Sequence, residues 1–291
     1  MYKTLSEHYK EKFGCKVYKL SINAGFTCPN RDGTLSDKGC IFCSDKGSGE
    51  FSESGNCITE QLERAKKRVE NKIKSGKYIA YFQSFTNTYA KTQKLEKIYL
   101  EAIKPDYIVG LSIATRPDCL PDETIALLKK INQIKPVTIE LGFQTQNEKT
   151  AEYIRRGYKN EVFNDAVKRL KEKGIEVVTH IIIGLPFETK EDAIKTTEYC
   201  VKAGTNGVKF HLLHVIENTD LAKDFKNRKF ECLSLEEYAD ILKACIDILP
   251  KDTVVHRITG DGDKKSLIAP LWSADKKKVL NYLHNFLTKN N

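Results

Sequence analysis

The 291-residue sequence contains no apolar run approaching the ~20 residues that a membrane-spanning helix needs. Its first residues, MYKTLSEHYKEKFG, lack the apolar centre of a secretory signal. No Pro/Gly/Ser-rich linker, low-complexity stretch or internal repeat interrupts it. These absences set aside membrane and secreted classes. Disorder is set aside too, since 40% of residues are hydrophobic and 30% charged. The expectation is a soluble cytoplasmic protein of one large or two ordinary domains, with ample chain for a core. In that compartment its nine cysteines are thiols or metal ligands rather than disulfides.

Acids are in the minority. Asp and Glu number 39 against 48 Lys and Arg, which leaves +9. That excess suits an acidic partner such as nucleic acid without requiring one. Residues 264–291 hold six lysines and a single acid, Asp275. A second basic stretch covers 61–77, where Ile58, Leu62, Ala65, Val69 and Ile73 recur at helical spacing beneath a basic face. That face reads either as solvated surface or as a nucleic-acid patch.

Strand-like runs at 17–22, 78–82, 107–113, 137–143, 177–183 and 208–215 are rich in β-branched and aromatic residues. Amphipathic helices are predicted between them, near 58–76, 92–104, 122–133, 147–172 and 189–203. This alternation of nearly continuous apolar strands with helices predicts an α/β fold with a parallel sheet. A partial (β/α)6 barrel fits best, with an open doubly wound sheet as the alternative. After residue 216 the pattern changes to helices at 235–249 and 273–287 with a short strand at 254–259. The expected division is a lead-in over 1–15, a barrel over 16–216 and a mainly helical C-terminal extension over 217–291.

Cys28, Cys40 and Cys43 fall together in TCPNRDGTLSDKGCIFC, a C-x11-C-x2-C spacing just after the first strand. Loops at the C-terminal ends of parallel strands carry active sites. Three thiolates there suit a soft metal. Structural zinc would need a fourth ligand, from Cys15, Cys57 or a histidine. An iron–sulfur cluster would keep one iron open. A redox pair of Cys40 and Cys43 also fits. Cys119, Cys200, Cys232 and Cys245 are scattered, and Cys200 and Cys245 read as buried thiols on helical stripes. An open cluster iron can take the amino and carboxylate groups of S-adenosylmethionine. Reduction then releases a 5′-deoxyadenosyl radical.

Across about residues 15–215 the segments KLSINAGFTCPNRDG, YFQSFTNTY, RPDCLP, ELGFQT and GLPFET resemble radical S-adenosylmethionine proteins. The similarity is greatest to the family related to the radical domain of the Elongator catalytic subunit, and within it to a narrower bacterial subfamily. The resemblance implies that Cys28, Cys40 and Cys43 ligate a [4Fe–4S] cluster and that Phe42 lies by the cofactor adenine. Ser84 and Thr86 stand where the family has a glycine-rich motif for the methionine amino group. Ala114 replaces a frequent glutamate, while Arg116 and Asp118 match an Arg-Pro-Asp element. Gln144 matches a ribose or carboxylate contact, Arg156 a carboxylate contact, His180 a ribose contact and Leu213 an adenine contact. Gly184 allows close backbone approach.

The resemblance further implies hydrogen abstraction from a tRNA wobble uridine, of the type that converts a carboxymethylaminomethyl to an aminomethyl substituent. A reductant such as flavodoxin or ferredoxin, and a separate methyltransferase that completes the product, are the implied partners. No second cysteine cluster is seen and no acetyltransferase region follows, so sulfur insertion and the full Elongator chemistry are not expected. Lys209, His211, His214, Glu217 and Arg257 are candidates to face a substrate. Two rival readings are a zinc-stabilised RNA-binding module without redox chemistry and a radical enzyme acting on a non-RNA substrate.

Overall fold

Strands that pair in the order of the chain make a singly wound sheet, and that is what the computed structural model contains. It describes all residues except 1, 48, 50, 51, 56, 73–75, 290 and 291. In chain order the elements are β1 (Lys3–Thr4), α1 (Leu5–Phe13), β2 (Tyr18–Ile22), α2 (Ile58–Lys67), β3 (Tyr78–Phe82), α3 (Thr92–Ile103), β4 (Ile108–Thr115) and α4 (Asp122–Ile134). Then come β5 (Val137–Gln144), α5 (Glu148–Tyr153), α6 (Asn160–Glu172), β6 (Glu176–Ile183), α7 (Lys190–Ala203) and β7 (Gly207–Leu212). The chain closes with β8 (Val215–Ile216), α8 (Asp220–Lys226), α9 (Leu235–Asp247), β9 (Val254–Arg257), β10 (Leu267–Ala269) and α10 (Lys276–Lys289).

The main sheet has the order β1-β9-β7-β6-β5-β4-β3-β2, and every ladder in it is parallel. A doubly wound sheet would reverse its strand order at a switch point. β2 through β7 show no reversal, so the barrel-type winding is the one adopted. The sheet is curled. Lys19 on β2 and Lys209 on β7 both reach the Glu140 carboxylate on β5. With neighbouring strands ~4.8 Å apart, a flat sheet would hold Lys19 three strand spacings from Glu140. The curl stays partial, because no ladder joins β1 to β2 among the described residues.

Alternation along the strands explains what fills each side. Leu20, Phe82, Leu111, Ile113, Ile139 and Leu141 pack outward against Leu95 and Tyr99 of α3 and Leu128 and Ile131 of α4. Each fully buried side chain of this size stabilises the fold by about 1.5–3 kcal/mol. The intervening positions, Lys19, Tyr81, Ser112, Glu140, His180 and Lys209, turn to the concave face. The strands are therefore less uniformly apolar than their composition implied.

Three boundaries differ from the sequence pattern. The helix expected over 147–172 is two helices, because Arg155 (φ 58°) and Gly157 (φ 81°) adopt left-handed backbone between them. The helix expected over 58–76 ends at Lys67 and is followed by a 3₁₀ turn at Glu70–Lys72, while 73–75, including the expected apolar Ile73, lie outside the described residues. The strand expected over 208–215 stops at Leu212, and β8 pairs antiparallel with β10 instead. β9 and β1, from outside residues 16–216, complete the main sheet beyond β7. No helix among the described residues is long and apolar enough to cross a membrane.

Candidate active site

A cavity of ≈ 390 Å³ opens at the C-terminal ends of the strands. Cys28, Cys40, Cys43, Phe42, Thr86, Gln144, Arg156, His180 and Leu213 all border it. Ser84 does not. It is fully buried, its Oγ has no partner, and it packs against Gly49, where a Cβ would fall 1.9 Å from that oxygen. Its hydroxyl therefore faces the loop and not the space a ligand would occupy. Lys209, His211, His214 and Arg257 border the cavity as well. Glu217 is outside its lining and pairs through its backbone with Ser266.

The cysteine loop is held by its own polar residues. The backbone N–H groups of Arg31 and Asp32 donate to the Cys28 carbonyl, and that of Cys43 donates to the Cys40 carbonyl at 3.0 Å. Arg31 Nη2 donates to the carbonyls of Cys43 (2.7 Å) and Ser44 (2.6 Å). Asn30 Nδ2 donates to the Arg155 carbonyl at 2.7 Å and lies 3.5 Å from Cys40 Sγ. Asn30 thus ties the loop to the turn after α5. Burial, aided by the neighbouring Cys40 thiol, pushes the Cys43 thiol up to about 12, with Arg31 opposing. Burial also raises Cys40, against Arg116 and an Asn30 hydrogen bond.

This donor set fits an iron–sulfur cluster. Three thiols border one cavity, near enough that charge on Cys28 raises both Cys40 and Cys43. Cationic irons would favour the thiolate form that burial disfavours. Among the described residues no three His, Cys, Asp or Glu side chains gather tightly enough to hold a single metal ion. Thiolates bound to separate irons of one cluster stand farther apart than the ligands of one zinc ion. Cys15, Cys57, Cys119, Cys200, Cys232 and Cys245 are all outside the cavity lining.

Beneath the loop, six strands meet at one carboxylate. Glu140 accepts from Lys19 and Lys209, from Ser112 Oγ at 2.6 Å, from Tyr81 Oη at 3.0 Å and pairs with His180 Nε2 at 2.8 Å. Burial alone would raise its pKa, yet the two ammonium groups hold it well below the usual carboxylate range. Burial lowers Lys209 to about 7, assisted by Lys19 and Arg257 and opposed by Glu140. Burial brings His180 down to about 4 and puts His211 well below its usual value. Both imidazoles are neutral near pH 7. This hub escaped sequence reasoning except for His180 and Lys209. The signal for the rest was a lone charged residue inside an apolar strand: Lys19 in YKLSI and Glu140 in VTIELGFQ.

Gln144 ends β5 in left-handed backbone (φ 68°), just past a shift in the β5–β6 register between Gly142 and Gln144. Such irregularities re-aim side chains near active sites. Its amide, oriented by its neighbours, donates to the carbonyls of Phe143 (2.9 Å) and Gly142 (3.2 Å). Arg156 sits under this turn at 1% exposure. Its guanidinium donates to the carbonyls of Tyr158 (3.0 Å), Thr145 (2.6 Å) and Phe143 (3.4 Å) and to Asn160 Oδ1 (2.9 Å). It also stacks on Phe143 and Tyr158. The fork expected to take a cofactor carboxylate is spent on the protein's own backbone.

Residues 24–200 match the family model described as the Radical SAM superfamily, and residues 205–289 match the Radical_SAM C-terminal domain. The uncharacterized protein YtqA of Bacillus subtilis is 41% identical over 288 residues, 98% of this chain and 89% of that protein. The tRNA uridine(34) acetyltransferase of Methanocaldococcus jannaschii is 29% identical over 156 residues, 53% of this chain and 28% of that protein. Among solved structures, the archaeal Methanocaldococcus infernus Elp3 superposes with a TM-score of 0.69 at 18% identity. That match covers 92% of this chain and 63% of the Elp3 chain, and it speaks to the fold.

Proposed function

The chain belongs to the radical SAM superfamily of enzymes, and from that membership we propose that it modifies the 5-carbon substituent of the wobble uridine in tRNA. The step is of the carboxymethylaminomethyl-to-aminomethyl type, and the chain is assigned to the narrower bacterial subfamily that its GFTCPNRDG loop resembles. The observation that carries this reading is the similarity to a protein named for uridine 34 of tRNA. The reaction takes place in the cytoplasm, with flavodoxin or ferredoxin as reductant and a separate methyltransferase acting on the product.

The cofactors of this family are a [4Fe–4S] cluster and S-adenosylmethionine, which when bound supply a hydrogen-abstracting radical. Cys28, Cys40 and Cys43 would hold the cluster, while Asn30 and Arg31 fix the loop that carries them. Phe42 and Leu213 offer apolar surface for an adenine. Gln144, Thr86 and His180 offer polar contacts on the same cavity. Arg156 positions Gln144 instead of touching the ligand. The curled sheet and the cysteine loop wall the space between them.

Nucleoside analysis of bulk tRNA from cells with and without the gene tests the proposal. Deletion should raise the carboxymethylaminomethyl nucleoside and deplete the aminomethyl forms. An unchanged wobble-nucleoside profile overturns it.

A further inference from the structure

The concave floor of the cavity carries more positive charge than its own acids answer. Glu140 is one carboxylate facing Lys19 and Lys209, and it accepts from both. Arg257, on β9 beside Lys209 in the ladder, borders the cavity. Among the described residues it makes no hydrogen bond or ion pair. The other two acids on the lining are engaged elsewhere: Asp261 with Lys276, and Asp263 with Ser266 Oγ at 2.8 Å. In the adjoining wall the Nε2 atoms of His211 and His214 are buried with no partner. A buried polar nitrogen left so is costly and marks a place where a polar group belongs.

We infer that Arg257 and Lys209 form a carboxylate subsite on the cavity floor that receives the acid group of the substrate. This rests on the proposed function, because the carboxymethylamino substituent is what brings a carboxylate to the site. A planar guanidinium suits a planar carboxylate in a bidentate pair. The neighbouring imidazoles are neutral, so they can donate an N–H without adding charge. Burial lowers Lys209, and the nearby Lys19 and Arg257 add to that lowering; an incoming anion would oppose it. A backbone phosphate of tRNA is excluded by position. A base substituent can enter a barrel mouth, whereas the sugar–phosphate chain lies outside it. S-adenosylmethionine also carries a carboxylate, and the experiment separates these two sources.

The test uses the reconstituted, cluster-loaded protein and its Arg257→Gln and Arg257→Lys variants. Arg257 has no native hydrogen bond to lose, so both variants should fold. Equilibrium binding is measured for tRNA bearing the carboxymethylaminomethyl substituent, for tRNA bearing the aminomethyl substituent, and for S-adenosylmethionine alone. R257Q should weaken the carboxylated tRNA by about 10- to 100-fold and leave the other two unchanged, with R257K recovering part of the loss. Binding of the carboxylated tRNA should also take up a proton near pH 8, because an anion raises the pKa of Lys209. Equal loss for both tRNAs, no loss for either, or loss for S-adenosylmethionine alone each overturns the subsite. If R257Q leaves the affinity for both tRNAs unchanged while the deletion strain still accumulates the carboxylated nucleoside, the subsite fails and the proposed function stands.

Discussion

Glu140 Oε2 and His180 Nε2 meet at 2.8 Å although the ladder sets His180 beside Gly142. The imidazole leans back along its strand to a carboxylate that already serves two lysines, a serine and a tyrosine. Removing that one charge leaves Lys19 and Lys209 facing each other and Arg257. Glu140→Gln should therefore cost about 3–5 kcal/mol, the usual cost of orphaning a buried charge. Lys209→Met added to it should recover part of the loss, because it removes one orphan. Urea denaturation of the single and double variants reads both effects. A loss under about 1 kcal/mol for Glu140→Gln would show that the hub does not hold the barrel together.

Glu188, just past the strained Phe187 (φ 67°), is the acid with the opposite sign. Burial, with Asp192 nearby, raises it to about 7, against hydrogen bonds from Thr145 and Thr150. A carboxyl raised above its unfolded value stabilises the fold fully at low pH, and that stability is lost as pH rises through about 7. His180 and His214, both lowered to about 4, act the other way and lose stability as pH falls from about 6.5 to about 4. The facing charges are Glu140, Lys209 and Arg257 for His180, and Asp261 and Arg257 for His214. Glu188→Gln removes only the first contribution. Relative to the parent protein it should gain stability at about pH 8 over about pH 5, by at most about 3 kcal/mol. Thermal unfolding at both pH values checks this, and a pH-independent difference would refute it.

β2 to β7 and β9 were legible because each is a short run of β-branched and aromatic residues, and the helices between and after them because each keeps its apolar stripe; β1, α1, α8 and β10 were not read. The cysteine loop was legible because its three thiols lie within sixteen residues of one another. The hub was not, because Lys19 and Glu140 are 121 residues apart and nothing local says that they share a face. The break after Tyr153 was hidden by a stripe that runs on through Phe163, Val167 and Leu170. Only Gly157 betrays it, where a Cβ would fall 2.9 Å from Asn30 Oδ1. Arg156 misled for a chemical reason. A guanidinium suits a carboxylate, but this one spends its hydrogen bonds on three carbonyls and Asn160, with Glu148 standing off at 3.6 Å.

That ambiguity is testable. If Arg156 holds the turn, Arg156→Lys should cost several kcal/mol, about 3 or more. A lysine cannot span Tyr158, Thr145 and Phe143 at once. The loss should appear in the protein without cofactor. A variant of unchanged stability that bound S-adenosylmethionine poorly would return Arg156 to the role of carboxylate ligand.

Cys28→Ala, Cys40→Ala and Cys43→Ala should each abolish cluster assembly after anaerobic reconstitution, read as iron and acid-labile sulfide. Cys200→Ala and Cys245→Ala should keep full iron and lose only about 1 kcal/mol of stability, since both thiols are fully buried among apolar groups. Stoichiometric zinc with no iron would favour the structural-metal reading instead. A full cluster without Cys28 would break the ligand assignment.

The two basic stretches separate on structural grounds. On α2, Arg64 and the following Arg68 both pair with Glu53, at 3.1 and 2.6 Å, and Glu53 is only 6% exposed. Their charge is committed to a buried acid. Lys264 and Lys265 are exposed with no acidic partner among the described residues, and they directly follow Asp261–Asp263 on the cavity rim. Phosphates of a tRNA whose base has entered the barrel would pass there. Replacing Lys264 and Lys265 with Glu should lower tRNA affinity at least tenfold at low salt and reduce the slope of log K against log salt by about 2. Stability should not change. Arg68→Ala should do the reverse, destabilising the fold while sparing the salt slope. If the α2 variant alone flattens the salt dependence, the RNA path runs over the opposite edge of the sheet, beside β2.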